Sequence, residues 1–209
     1  MADLQQIADN LIQGNAPKVK ELVQKAVDEK ENVQKILNEA LLAGMSVVGA
    51  KFKKNEFYIP EVLIAARAMK QGMQILKPLL AKENIKGVGT VVVGTVRGDL
   101  HDIGKNLVGM MLEGAGFEVI DAGIDVAPDL FIKTAQEKNA SLIGLSALLT
   151  TTMPAMKEVV TSLNNSSLKG KIKVMVGGAP VTKDYADEIG ADGYAPDAAS
   201  AADLAKKLL

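Results

Sequence analysis

The sequence has 209 residues, of which 48% are hydrophobic and 23% are charged, and its formal net charge is −1. This composition is typical of a folded globular protein and gives no basic surface for nucleic acid, so we expect no nucleic-acid partner. The absence of cysteine excludes disulfides, thiolate metal sites and thiol nucleophiles. The lack of cysteine also agrees with a cytoplasmic location. The sequence does not start like a leader peptide, and no apolar run is long enough to span a membrane, so we expect a cytoplasmic protein without membrane association.

The first 86 residues predict a bundle of four helices. A first helix is expected over 3–12, and Asn15 supplies an N-cap for a second helix that runs to about residue 30. Apolar residues recur at three- and four-residue spacing over 33–52, which predicts a third helix with one buried face. A fourth helix opens at Pro60, and its apolar stripe steps alternately by four and three residues. Such a stripe is the seam of a helix bundle, so residues 1–86 are predicted to form one helical domain.

From residue 87 onward, predicted strands and helices alternate. This alternation implies a parallel sheet with helices on both faces, as in flavodoxin-like or Rossmann-like domains. The polar segment from Ala81 to Gly87 separates the helices from the first strand, so we place a domain boundary between residues 86 and 87. The predicted strands are 88–94, 117–121, 141–146, 172–176 and 192–194, and the predicted helices are 103–115, 128–138, 153–164, 182–189 and 198–208.

The only histidine of the sequence, His101, falls in the loop between the first predicted strand and the next helix. In an open parallel sheet, such loops lie at the carboxyl ends of the strands, where ligands bind. Asp99 stands two residues earlier, and a carboxylate held against one imidazole nitrogen fixes the tautomer and raises the basicity of the other nitrogen. The pair therefore suits a metal ligand, although the same spacing also occurs in a solvated turn that caps a helix.

Other loops with small and hydroxyl-bearing residues are predicted to converge on the same edge. The segment before Pro154 carries four hydroxyl groups, of which at least one is explained as a helix N-cap. Gly177 and Gly178 permit close approach of the backbone to a ligand, and they are equally compatible with a simple turn. The four converging loops are 95–104, 146–152, 177–180 and 194–197.

Three motifs in this order, Asp99-x-His101-x-x-Gly104, Ser146-x-Leu148 and Gly177-Gly178, resemble the signature of cobalamin-binding domains. These domains take the cofactor base-off, with a histidine of the protein bound to cobalt. Residues 1–86 resemble the helical cap that precedes such a domain in methionine synthase and in small corrinoid proteins of anaerobic methyltransferase systems. The resemblance covers nearly the whole chain and implies a four-helix bundle cap over 1–86 followed by a flavodoxin/Rossmann-like cobalamin-binding domain over 87–209.

The resemblance also implies roles for individual residues. His101 is expected to be the lower axial ligand of cobalt, with Asp99 as its hydrogen-bonded partner. Thr152 falls where methionine synthase has a serine that bonds to this aspartate. Phe52 and Ile59 are expected to cover the upper face of the corrin ring and exclude water and oxidants. The other implied cofactor contacts are Val62 in the cap, Gly98, Asp102, Ile103 and Gly104 near the histidine, and Ser146, Leu148, Thr150, Gly177, Gly178, Tyr194 and Asp197 along the channel for the nucleotide tail.

The function implied by the resemblance is that of a methyl carrier. A donor-specific methyltransferase is expected to place a methyl group on the corrinoid, an acceptor methyltransferase to remove it, and a reductive activation protein to restore the active cofactor. The donor, whether a methylamine, methanol, a betaine or an aryl methyl ether, is not encoded in the motifs.

Three alternatives compete with the carrier. A cobalamin-dependent mutase subunit shares the motif but generally lacks the helical cap, and a cobalamin-dependent sensor needs a DNA-binding module that this sequence does not contain. A hydrolase built from Asp99, His101 and a hydroxyl residue has the required side chains, but one imidazole cannot both ligate cobalt and act as the base.

Overall fold

The computed structural model describes residues 3–83, 85 and 87–209. It divides into two compact units, one with the described residues up to Gly87 together with Gly114–Gly116, and one with Val88–Glu113 and Phe117–Leu209. The helical first unit and the parallel sheet of the second confirm the predicted fold class. The exact boundary at 86/87 stays a prediction, and Asn84 and Lys86 of the polar break, like Met1 and Ala2, lie outside the described residues.

The first unit consists of helices that begin where the sequence supplies a side-chain acceptor. The side chains of Asp3, Asn15 and Asn32 each accept a hydrogen bond from a backbone N–H in the first turn of the following helix, which satisfies a donor that has no partner within the helix. The helices are α1 (Leu4–Ile12), α2 (Ala16–Asp28), α3 (consecutive segments Val33–Lys35, Ile36–Leu42 and Ala43–Lys53) and α4 (Ile59–Lys82).

The middle segment of α3, Ile36–Leu42, is a π-helix rather than an α-helix, a feature that the regular apolar spacing of the sequence did not predict. Its Ile36 and Leu41 are fully buried, as are Leu11, Val19 and Leu76 from the other helices. The apolar sides of the four helices therefore meet in one core. No helix within the described part of the chain has both the length and the apolar character needed to cross a membrane.

The second unit is built on a parallel sheet with strand order β2-β1-β3-β4-β5. This is the flavodoxin-like order, in which β2 lies on one side of β1 and β3, β4 and β5 follow on the other, so a crevice opens outside the carboxyl ends of β1 and β3. The elements are β1 (Thr90–Thr95), α5 (Ile103–Gly114), β2 (Glu118–Asp121), α6 (Pro128–Glu137), β3 (Leu142–Ser146), α7 (Pro154–Asn164), β4 (Lys173–Gly177), α8 (Lys183–Ile189), β5 (Gly193–Tyr194) and α9 (Ala198–Leu208).

The first strand begins and ends later than predicted. Pairing starts where Thr90 lies beside Glu118, and Val88, which was assigned to the strand, is 47% exposed. The prediction for Val88 relied on its apolar character alone and is wrong, because no neighbouring strand pairs with this residue. At the other end, Thr95 still belongs to β1 and pairs with Ser146 of β3. The two loops that follow β1 and β3 thus leave the sheet at the same level.

A large hydrophobic cluster fills one face of the sheet. Phe131 of α6 and Met156 of α7 are fully buried in it together with Val92 and Ile143 of the sheet. Burying each side chain of this size stabilises the fold by about 1.5–3 kcal/mol. This packing fixes the strands against the helices, so their carboxyl ends provide a rigid base for the loops.

Gly178 brings the loop after β4 directly onto the loop after β3. Its φ is +133°, and a Cβ atom at this position would lie 1.9 Å from the carbonyl oxygen of Ala147. Only glycine combines this backbone conformation with such a close approach. The neighbouring Gly177 similarly faces the carbonyl oxygen of Ala195, 2.9 Å from where its Cβ would be. The glycine pair therefore packs three strand-end loops against one another.

We expect Gly178→Ala to destabilise the protein much more than Gly170→Ala. Gly170 also has a positive φ, +74°, but no atom lies within 4 Å of its Cβ position, so its substitution reports about 1–2 kcal/mol of backbone strain alone. Gly178→Ala adds the clash with Ala147 and should cost about 2–5 kcal/mol. Urea unfolding of the two variants measures the difference, and equal costs would contradict the packing role of Gly178.

Candidate functional site

The loop after β1 holds His101 in a closed turn at the switch point of the sheet. The Asp99 N–H donates to the Val96 carbonyl at 3.1 Å, and Gly98 between them has a φ of +83°. The hydroxyl of Thr95 donates to the His101 carbonyl at 2.7 Å. Because Thr95 is fully buried at the end of β1, this hydrogen bond ties the far end of the loop back to the sheet.

Asp99 and His101 form the hydrogen-bonded pair that their spacing predicts. The imidazole Nδ1 lies 2.7 Å from Asp99 Oδ1, and the backbone N–H of His101 donates to the same oxygen at 3.1 Å. The Asp99 side chain is fully buried, whereas that of His101 is 51% exposed. With Nδ1 acting as donor to the carboxylate, Nε2 of the neutral ring carries the free lone pair and is open to a ligand. This tautomer follows from the hydrogen-bond network.

The second carboxylate oxygen of Asp99 is held by the loop after β3. The Leu148 N–H donates to Asp99 Oδ2 at 2.8 Å, and the Thr152 hydroxyl donates to the same oxygen at 2.7 Å. Thr152 Oγ1 also lies 2.9 Å from the Leu149 carbonyl, but its single proton is better placed on a charged acceptor. The structure thus brings His101, Asp99 and Thr152 into one chain of hydrogen bonds across two adjacent loops.

The environment of Asp99 keeps its carboxyl group ionised. Burial by itself would raise the pKa of Asp99, but the hydrogen bonds from Thr152, Leu148 and His101 together outweigh burial and hold the pKa well below its usual range. An ionised carboxylate only accepts hydrogen bonds. It therefore requires a proton on Nδ1 of His101 and leaves the free lone pair on Nε2.

The loops that hold His101 and Asp99 also carry exposed apolar side chains. Ile103 and Leu100 are 71% and 67% exposed, and Leu148 is 43% exposed. Gly104, in the first turn of α5, has no atom within 4 Å of its Cβ position, so the chain's own packing does not require glycine there. An exposed imidazole, exposed apolar side chains and a bare backbone surface on the same loops are features of a binding site for a large, partly apolar cofactor.

Several other predicted contact residues have roles within the chain. Asp102 accepts from the Asn106 N–H and side chain at the start of α5, and Asp197 accepts from the Ser200 N–H and hydroxyl at the start of α9. Tyr194 is partly buried against the hydrophobic cluster. The exposed or partly exposed residues at the same strand ends, whose cofactor contacts stay predictions, are Ser146, Thr150, Gly177 and Gly178.

The three cap residues differ in exposure. Phe52 is half-buried in the last turn of α3, and Ile59, the first residue of α4, is 41% exposed. Val62 is fully buried. The covering role of Phe52 and Ile59 and the contact of Val62 stay predictions.

The structure adds a fifth loop to the four that the sequence indicated. Residues 122–127, after β2, contact the histidine loop through Asp125, whose Oδ1 accepts from the Gly98 N–H at 2.7 Å. Behind it, the buried Lys105 contacts Asp121 Oδ2 at 2.5 Å. Asp121, the last residue of the predicted strand 117–121, and Asp125, four residues later, were a usable signal. The short strand β2 is only partly buried, so its apolar pattern did not point to the loop that follows it.

Comparison with known proteins agrees with this geometry. Residues 89–203 match the family model described as the B12 binding domain, and residues 3–77 match a second B12 binding domain model. The dimethylamine corrinoid protein of Methanosarcina barkeri is 47% identical over 208 residues, which cover 99% of this chain and 97% of that protein.

Two solved structures have the same fold over almost the whole chain. A cobalamin-binding protein from Desulfitobacterium hafniense DCB-2 has a TM-score of 0.83 and 32% identity, with both chains fully covered. The methanol:cobalamin methyltransferase complex MtaBC from Methanosarcina barkeri also gives a TM-score of 0.83, with 33% identity over 97% of this chain and 77% of that chain.

The helical unit, the flavodoxin-like sheet and the aspartate-held imidazole define a cobalamin-binding protein of the capped type. More particularly, the chain belongs to the B12-binding family of corrinoid proteins from methyltransferase systems. Neither the sensor nor the mutase alternative gains support from these relatives.

We expect Asp99→Asn to lower the free energy of unfolding near neutral pH by about 1–3 kcal/mol, because an amide cannot accept all the hydrogen bonds that the buried carboxylate accepts. Asp102→Asn, at an exposed helix start, is the matched control. Since the pKa of Asp99 is lowered by folding, its ionised form stabilises the protein above the unfolded-state pKa of about 3.9.

This stabilisation is lost as the pH falls toward the folded-state pKa of Asp99. The difference between the parent protein and Asp99→Asn should therefore shrink between neutral pH and about pH 3. Urea unfolding of both proteins across this pH range measures the difference in the free energy of unfolding. A difference that stays constant with pH would show that the charge on Asp99 does not stabilise the fold.

Proposed function

We propose that this protein carries a methyl group on a corrinoid whose cobalt is ligated by His101 in the base-off, His-on form. The observation that supports this most directly is the exposed imidazole at the switch point, with Nδ1 bound to buried Asp99 and Nε2 free. When bound, the corrinoid supplies the cobalt that takes up and releases the methyl group.

The residues of the chain would position the cofactor. His101 would bind the metal through Nε2, and Asp99 keeps the ring oriented with its proton on Nδ1. Thr152 fixes the carboxylate through its hydroxyl. The apolar side chains around the loop exclude water from the ligated face.

The same proposal includes three protein partners. The relatives are named for dimethylamine and for a methanol:cobalamin methyltransferase complex, so a donor-specific methyltransferase is the first partner. An acceptor methyltransferase is the second. A reductive activation protein is the third, because the chain has no cysteine thiol that could act as a reductant for an oxidised cofactor.

We expect His101→Gly, loaded with cobalamin, to lose the absorption spectrum of nitrogen ligation and to bind the cofactor about tenfold or more weakly. Added free imidazole should restore the spectrum, because it fills the position of the missing side chain. Arg97→Ala, an exposed change in the same loop, is the control and should keep the parent spectrum. An unchanged spectrum in His101→Gly would show that another group ligates the metal.

We also expect the loaded and reduced chain alone to take no methyl group from dimethylamine or methanol at a useful rate. Breaking the bond to nitrogen or oxygen requires activation of the leaving group, which contributes about 10²–10⁴-fold through a positioned acid alone. The only histidine is assigned to cobalt, and no cysteine is available to bind zinc.

Labelled donors test this expectation with and without each candidate methyltransferase. Label should reach an acceptor only when a donor methyltransferase and an acceptor methyltransferase are both present, and the productive donor identifies the system. Rapid labelling of the chain alone would show that it is an enzyme rather than a carrier.

A further inference from the structure

We propose that Asp125 is a positioning residue for His101, acting from the loop after β2 on the turn that carries the axial ligand. This inference rests on the proposed function, because it concerns how the imidazole is presented to cobalt. Asp125 touches neither the imidazole nor the carboxylate of Asp99. It acts on the backbone that connects the histidine loop to the sheet.

Asp125 makes two hydrogen bonds to consecutive residues of the turn. Its carboxylate Oδ1 accepts from the Gly98 N–H at 2.7 Å, and its own backbone N–H donates to the Asp99 carbonyl at 3.0 Å. Asp125 is the acceptor in the first hydrogen bond and the donor in the second. The two bonds lie on either side of the peptide unit between Gly98 and Asp99. They therefore fix both the position and the rotation of the residue whose side chain holds the imidazole.

The backbone of Asp125 indicates that this contact is more than a surface turn. Its φ is +52°, in the left-handed region, which costs a residue with a side chain about 1–2 kcal/mol. Glycine adopts this conformation without the cost but has no carboxylate to offer Gly98. The aspartate thus supplies the acceptor in a conformation that also directs its N–H at the Asp99 carbonyl.

The loop that carries Asp125 is itself fixed to the sheet. The Thr95 N–H donates to the Gly123 carbonyl, and the Val126 N–H donates to the Thr95 carbonyl, each at 3.0 Å. These bonds continue the β1–β2 pairing past the end of β2, so the loop cannot move independently of β1. Asp125 therefore lies in a loop that is bonded to β1, the same strand from which the histidine loop begins.

An ion pair between a buried lysine and a half-exposed aspartate also holds the loop. Lys105, 4% exposed, contacts Asp121 Oδ2 at 2.5 Å, and Asp121 Oδ1 accepts from the Gly123 N–H at 2.9 Å. Lys105 belongs to α5, the helix that follows His101 directly. The histidine loop is thus held at its start through Asp125 and at its end through the helix that anchors Asp121.

The test compares three variants chosen to separate the acceptor from the backbone conformation. Asp125→Gly removes the carboxylate and accepts the same φ, whereas Asp125→Asn keeps an acceptor oxygen. Asn139→Gly is the matched control, because Asn139 is also exposed with a φ of +50° but lies after α6, in a turn that closes on Gln136.

Two measurements read out the position of the imidazole. His101 is the only histidine, so its side-chain nitrogen resonances are unambiguous in the free protein. Once these resonances no longer change with increasing pH, they report which ring nitrogen carries the proton. The parent should show a proton on Nδ1 alone, and Asp125→Gly a mixture of tautomers. With cobalamin, Asp125→Gly should bind about tenfold more weakly and show a reduced His-on spectrum.

The expected pattern is that Asp125→Asn and Asn139→Gly resemble the parent in both measurements. The inference is overturned if Asp125→Gly also resembles the parent, or if Asp125→Asn behaves like Asp125→Gly. If the parent itself binds cobalamin without imidazole ligation, the proposed axial role fails, but the tautomer comparison in the free protein still decides whether Asp125 positions His101.

Discussion

A carboxylate buried at the sheet edge must be satisfied by hydrogen bonds, and the loops of the α/β unit are arranged around this requirement. Asp99 accepts from the His101 N–H and ring on one oxygen and from Leu148 and Thr152 on the other. Leaving any buried donor or acceptor unpaired costs about 1–3 kcal/mol. The same hydrogen bonds also define the orientation of the imidazole, so the stability of the loops and the orientation of His101 have one origin.

The strand order explains why residues far apart in sequence can meet at this carboxylate. β1 and β3 are adjacent, and Thr95 pairs with Ser146, so the loops after them start side by side. On the other side of β1, the loop after β2 delivers Asp125 to the same turn. A histidine loop at the end of an edge strand would have support on one side only. At the switch point it is supported from both sides.

Sequence reasoning predicted the parts of the site that depend on local spacing. The contact between Asp99 and His101 follows from a two-residue separation in a loop after a buried strand. The contact of Asp99 with Thr152 depends on how β1 and β3 pair, and here only the resemblance to a known family indicated it. The support from Asp125 depends on a left-handed φ and on pairing with a partly exposed edge strand. Neither the left-handed φ nor the pairing with this edge strand produces a hydrophobic pattern that could be recognised in the sequence. The π-helical segment Ile36–Leu42 was missed because its buried positions fit regular helical spacing as well.

The difference in exposure between the two partners has a consequence for binding. Asp99 is fully buried and His101 is half-exposed, so the charge is already desolvated and hydrogen-bonded by the chain itself, while half of the imidazole remains accessible. Binding then requires no further burial of a bare charge and little ordering of the loop. A loop that became ordered only on binding would lose about 1–2 kcal/mol of affinity for each residue fixed. The hydrogen bonds from the neighbouring loops therefore hold a half-exposed histidine in one orientation on a surface loop before any partner binds.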